Sequence, residues 1–218
     1  PTRLTRRIPH LWSQDEVCAL LGAAAQLRPP LRAATYEALF GLIAVSGMRI
    51  GEAIALARDD VDLTAGVLTI RDAKFGLTRL VPLHPSATDA LGSYTVRRDR
   101  LCPTPRSNTL FLSSVGTALS IGGVHHTFNQ LTTAIGLRTA TARPRIHDLR
   151  HRFAVTTLID WHRSGVDVAG RMAVLSTYLG HVNPAGTYWY LSATPELMGL
   201  AAARLDRRYG EQRCGEQR

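Results

Sequence analysis

VLTIRDAKFGLTRLVPL, residues 67–83, breaks with the helical patterning on either side of it. Val67-Leu68-Thr69-Ile70 and Arg79-Leu80-Val81-Pro82-Leu83 are rich in β-branched and apolar residues and read as two strands. The connection between them holds Lys74 and Gly76, so an antiparallel β-hairpin is expected. Upstream, Ser13-Gln14-Asp15-Glu16 has capping-box spacing and starts a helix over 14–26, which Pro29-Pro30 breaks. A helix over 31–46, carrying Leu39, Leu42, Ile43 and Ala44, stops at Gly47, and a shorter one runs from Arg49 or Ile50 to Ala57. Downstream, helices are predicted at 86–101, 121–135, 147–163, 168–179 and 194–205, with a short strand at Leu110-Phe111-Leu112. The expected class is mostly α with a small antiparallel β-sheet (α+β).

The chain has 218 residues, 45% hydrophobic and 20% charged, which is ordinary for a globular protein with a sizeable core. No apolar run approaches a membrane span, and the opening residues do not form a signal-peptide pattern. Cys18, Cys102 and Cys214 are too scattered for a disulfide framework or a zinc ribbon, and a reducing cytoplasm is the default. The 26 basic residues against 17 acidic ones leave a formal charge of +9, which favours a polyanionic partner. Of the 26, 25 are arginine and one, Lys74, is lysine.

Several polar residues sit awkwardly for a core. Arg49 follows a helix-ending glycine in SGMRIGEA, residues 46–53, with Glu52 three positions on as a ready ion-pair partner. IHDLRHRFA, residues 146–154, opens an apolar helix whose first turn puts His147 and Arg150 on one face, where helix N-termini favour anions. His147 and His151 also have metal-ligand spacing, loosely like a zinc-protease helix, but Asp148 has too short an arm for the base of that motif. YLGHVNPAGTYWY, residues 178–190, offers His181 and, nine positions later, Tyr190, with Tyr188 as a rival phenol.

Taken in order, Arg49, Lys74, His147, Arg150, His181 and Tyr190 resemble the tyrosine recombinase (phage integrase) family. The match runs from about Ser13 to Tyr190. The resemblance implies a catalytic-domain fold over 13–206, preceded by a linker remnant at 1–12 and followed by a flexible polar tail at 207–218. Family members usually carry a helical DNA-clamping domain ahead of the catalytic one, and here the pattern begins close to Pro1. The stretch 159–173, with Trp161, His162 and Arg163, is longer than the compact family pattern.

The chemistry of a phosphodiester explains such a set. Its charge repels a nucleophile and grows on the phosphoryl oxygens in the transition state. Two guanidiniums, Arg49 and Arg150, grip those oxygens and stay charged at any working pH. His147 and His181 supply hydrogen bonds, and His147 takes the proton from a phenol whose ordinary pKa is about 10. A lysine is a far better proton donor than arginine, which gives Lys74 the leaving 5′-oxygen. Glu52 is read as orienting Arg49.

By resemblance, Tyr190 forms a 3′-phosphotyrosyl link, with no cofactor and no metal. The partners implied are double-stranded DNA and three further copies, as a homotetramer on two duplexes, with a monomer in the absence of DNA. No membrane is involved, and the place of action is the cytoplasm, at a bacterial nucleoid. The helix over 194–205 either docks on a neighbour or covers its own core. The competing readings are a type IB topoisomerase, a DNA-binding module without catalysis, and a zinc hydrolase.

Overall fold

The computed structural model describes residues 9–73, 77–181, 185–188, 190, 196–200 and 202. Two compact units divide the chain, Pro1–Arg152 and Phe153–Arg218.

In the first unit α1 (Gln14–Ala25) starts at a complete capping box: the Glu16 amide donates to Ser13 Oγ, and the Ser13 amide donates to the Glu16 carboxylate. Ahead of it, Trp12 is buried and tilts against Phe128 at 5.9 Å between ring centroids. α2 (Pro30–Ser46) starts one residue earlier than expected, because Pro30 takes the first helical position, where a missing N–H costs nothing. It is apolar nearly all round and forms the centre of the unit, with Leu39, Phe40, Leu42 and Ile43 buried. α1, the helix over Ile50–Ala55 and the helix over Pro85–Leu101 pack on it, and Phe40 meets Phe128 edge-on at 5.5 Å. Gly47 ends α2 at φ 62°, and its N–H returns to the Ile43 carbonyl. A side chain there would be strained.

α3 (Ile50–Ala55) leads through a 3₁₀ turn (Arg58–Asp60) into a sheet of three antiparallel strands that lie side by side in chain order. The expected hairpin is β2 (Val67–Ala73) and β3 (Leu77–Pro82), with Leu68 opposite Val81 and Ile70 opposite Arg79. β1 (Val61–Asp62) adds a third strand that two residues could not announce.

After α4 (Pro85–Leu101), the strand expected at 110–112 is instead a buried loop. The Leu110 carbonyl is taken by Arg98 Nε at 2.8 Å and by the Tyr94 hydroxyl at 3.0 Å, and Arg98 also holds the Thr109 carbonyl at 3.0 Å. With its acceptors claimed by side chains, the segment makes only isolated bridges, Ala57 to Thr109 and Leu112 to Ala118. α5 (Ile121–Ala134) and the first turns of α6 (Ile146–Arg163) complete the unit.

The second unit holds the rest of α6, α7 (Val168–Leu179), the short α8 (Ala185–Tyr188) and helical residues at 196–200. Its core gathers Ala154, Val155, Leu158, Val168, Met172, Leu175, Leu179, Tyr190 and Leu197. Arg163 Nη2 donates to Glu196 Oε1 at 2.7 Å. Leu197 in that core and Glu196 on Arg163 seat the described part of the 194–205 helix on its own unit. The 159–173 stretch ends α6, turns at Gly165 and starts α7 at the Asp167 cap, with Arg171 over the Trp161 ring at 5.9 Å. No helix among the described residues is long and apolar enough to cross a membrane.

Candidate active site

The left-handed turn at Gly47 frees a carbonyl, and Arg150, 103 residues later, donates Nη1 to it at 2.6 Å. Arg150 is 1% exposed, so its charge is held in a poorly solvated place. Two residues past Gly47, Arg49 caps α3 with an extended backbone. Its Nη1 donates to Glu52 Oε1 at 2.8 Å and its amide donates to Glu52 Oε2 at 3.0 Å. Glu52 therefore orients Arg49 from both ends.

A residue that the sequence reading passed over completes this arrangement. Arg79, on β3, lays its fork on the same carboxylate, Nη1 to Oε1 at 3.0 Å and Nη2 to Oε2 at 2.8 Å. Burial pushes the Glu52 carboxyl up, but hydrogen bonds from Arg79 and the Arg49 amide, with the Arg79 charge, hold it down to about 2. The available signal was strand parity: Arg79 shares a strand face with Val81, so an arginine stood where an apolar residue was due.

His147 opens α6, solvent-exposed on one side and edge-on to His151 at 4.6 Å between ring centroids. Its pKa falls to about 4, first from burial of the rest of the ring and then from the Arg150 charge. Asp148 opposes the shift, and Arg145 and Arg49 add to it. Arg49, His147 and Arg150 thus form one electropositive cluster, with His147 neutral near pH 7 and able to accept a proton. Asp148 is buried and committed to Arg145, whose amide and guanidinium both donate to it at 2.8 Å. Lys74 lies outside the described residues.

In the second unit, α7 ends in a Schellman turn: the Gly180 N–H reaches the Thr177 carbonyl and the His181 N–H reaches the Ser176 carbonyl. Gly180 sits at φ 66° and releases His181 from the helix direction. The imidazole Nδ1 lies 2.7 Å from the hydroxyl of the buried Thr187, which fixes the ring. Tyr190 stacks beside His181 at 6.1 Å between centroids, tilted by 20°. Tyr190 is 2% exposed and Tyr188 is 53% exposed, so the two phenols occupy opposite environments. Among the described residues, no group of three His, Cys, Asp or Glu side chains is placed to hold a metal ion, His147 and His151 included.

The histidine pair makes stability pH-dependent. The His151 pKa also falls to about 4, from burial and then from His147, with Arg145 and Arg150 contributing and Asp148 opposing. The unfolded imidazole titrates near 6.5. As pH falls through this window the unfolded chain takes up the proton first, so stability present above about 6.5 is lost on the way to about 4. Urea unfolding at pH 7, 5.5 and 4.5 is expected to show a loss on the order of 2–3 kcal/mol from this residue, so the pH dependence is expected to be shallower in His151→Asn, with the His147 part remaining.

The phage integrase family matches residues 12–196. The chain belongs to that family. An integrase/recombinase of Sinorhizobium fredii, y4rB, is 46% identical over 217 residues, covering 96% of this chain and 69% of that protein. Tyrosine recombinase XerD of Mycobacterium tuberculosis is 33% identical over 198 residues, covering 89% of this chain and 60% of XerD. The chain thus spans roughly two thirds of the curated relatives it matches. In fold, the crystal structure of XerA recombinase superposes with a TM-score of 0.70 at 24% identity, over 96% of this chain and 66% of that one. XerH bound to its palindromic difH substrate gives 0.70 at 21%, over 93% and 55%. The mostly helical layout with a small antiparallel sheet is that of the phage integrase catalytic domain.

Proposed function

We propose that this chain is the catalytic part of a site-specific DNA recombinase that cleaves and rejoins DNA through a 3′-phosphotyrosyl intermediate. The observation that supports it most is the cluster in the first unit. Buried Arg150 reaches back to the Gly47 carbonyl, and beside it stand Arg49 and a neutral His147.

In this mechanism Arg49 and Arg150 hold the non-bridging oxygens of the scissile phosphate and offset the charge that builds there. His147 accepts the Tyr190 phenolic proton as the oxygen attacks phosphorus. His181, its Nδ1 occupied by Thr187, donates from Nε2 to the phosphoryl group. The bond from phosphorus to the 5′-oxygen breaks, and Lys74 protonates that oxygen. The hydroxyl so formed, or one from a second duplex, attacks the tyrosyl phosphate and restores the backbone. The phosphotyrosyl bond keeps the bond energy, so neither ATP nor a metal is required.

Solved relatives include a lambda integrase tetramer bound to a Holliday junction and a Tn1549 transposon integrase with transposon-end DNA. By analogy this protein works as a homotetramer on two duplexes, for integration, transposition or resolution of a mobile element in a bacterial cytoplasm. The test is a nicked suicide duplex drawn from the DNA flanking the coding sequence. The expected result is a protein–DNA adduct that resists boiling in detergent, forms in EDTA and maps by mass spectrometry to Tyr190. An adduct mapping to Tyr188 would reassign the nucleophile, and loss of activity in EDTA would support a metal hydrolase instead.

A further inference from the structure

Residues 100–147 hold five arginines and no acidic residue, an imbalance sharper than that of the whole chain. Two of the five, Arg143 and Arg145, lie in the run that enters α6. Burial alternates along this run: Arg143, Arg145 and His147 are exposed, while Pro144, Ile146 and Asp148 are buried. A two-residue alternation is that of an extended chain, and a residue ahead of a proline favours that conformation. The run therefore sets two guanidiniums on the solvent side, in line with His147.

Several contacts fix it there. The Thr139 amide donates to the Ala142 carbonyl at 2.8 Å and the Ala142 amide to Thr139 Oγ1 at 2.9 Å, which closes the preceding turn. Arg138 Nη2 donates to the Pro144 carbonyl at 2.9 Å. Arg145 lays Nε and Nη2 on Asp148 Oδ1, at 3.2 and 2.8 Å. The carboxylate is 1% exposed and the guanidinium side chain 43% exposed, so a buried acid grips the arginine by one edge. Nη1 of Arg145 has no partner among the described residues, and Arg143 has no hydrogen bond or ion pair among them. The Arg145 charge also helps to lower the pKa of His147 and of His151, in keeping with its place beside the site.

Both guanidiniums thus offer donors to solvent next to a cluster already suited to a phosphate. We propose that Arg143 and Arg145 form a backbone-binding track: they hold DNA phosphates that flank the scissile one and so set the register of the strand over His147. Two residues of extended chain advance about 6–7 Å, so the two side chains reach separate phosphates. This inference rests on the proposed strand-transfer function.

The experiment is binding of the nicked duplex, followed by fluorescence anisotropy across a salt series. It is repeated with one methylphosphonate, which replaces a charged non-bridging oxygen by methyl, placed in turn at each phosphate around the nick. Arg143→Ala and Arg145→Gln are each expected to weaken binding about 3–10-fold and to lower the salt slope by about 1. Glutamine keeps an amide donor for Asp148 without the charge, and Arg145→Lys, which keeps the charge, is expected to recover most of the slope. For each variant one flanking phosphate is expected to absorb the loss: with that phosphate neutral, variant and wild type bind within about twofold, and elsewhere the loss persists. Losses that persist at every position, or that vanish only at the scissile phosphate, overturn the proposal. An Arg145→Gln chain that fails to fold, judged by circular dichroism, assigns that side chain to holding Asp148 and overturns its share of the track. Arg143→Ala then decides the rest by the same coupling. Wild-type protein that binds the duplex but forms no adduct overturns the strand-transfer function, and with it the place of this track beside a scissile phosphate. Absence of coupling with the adduct intact overturns the track alone.

Discussion

Tyr190→Phe is expected to form no covalent DNA adduct, a loss on the order of 10⁴-fold or more, while binding DNA as before. The change removes one oxygen atom and leaves the ring in the core it shares with Leu158, Leu179 and Leu197. Its thermal midpoint should therefore stay within a few degrees of wild type. The control is Tyr188→Phe. Tyr188 is 53% exposed at the end of α8, and removing its hydroxyl is expected to change adduct yield by less than about twofold. Persistence of the adduct in Tyr190→Phe and its disappearance in Tyr188→Phe would reverse the assignment, a result that detergent gels of labelled DNA read directly.

Arg150→Ala carries the second large effect, and it falls on stability and rate together. The side chain is 1% exposed, and its Nη1 contact to the Gly47 carbonyl joins α6 to the turn that presents Arg49. Truncation leaves a buried carbonyl without that donor and a void of several heavy atoms. A stability loss of about 2–4 kcal/mol in urea titration is expected. Single-turnover cleavage is expected to fall about 10³-fold through lost stabilisation of the phosphoryl oxygens. Arg150→Lys separates the two roles: an ammonium keeps the charge but lacks the planar fork, so it cannot hold the carbonyl and a phosphate at once. Recovery of stability without recovery of rate is the expected pattern. A lysine variant cleaving at the wild-type rate would show that point charge, not fork geometry, does the work.

Features with a local cause were legible in the sequence. The capping box at Ser13 and Glu16, the stop at Gly47 and the release at Gly180 each depend on residues within one turn, and the helix limits they set agree with the structure to within a residue or two. Features with a distant cause were not. Leu110-Phe111-Leu112 is an apolar triplet whether it lies in a ladder or in a buried loop, and only Arg98 and Tyr94, a dozen or more positions earlier, decide between them. Glu52 was visible as a partner for Arg49, yet its second arginine arrives from a strand 27 residues away. Thr187 stood in the quoted stretch near His181, but a hydroxyl facing an imidazole has no signature in one dimension. Spacing also says nothing about whether a phenol is inside or outside, and Tyr190 is inside.

On the proposed function, with Tyr190 as the attacking phenol, that interior placement bears on how often the protein can cut. If seating a ring of that size in the core is worth about 2 kcal/mol, the ring-out form makes up about 3% of the population at any instant. Under that proposal a copy on arbitrary DNA would spend most of its time unable to cut the duplex beneath it. Any target or neighbouring copy that traps the swung-out form gains up to about thirtyfold in speed, without a single new group touching the phosphorus.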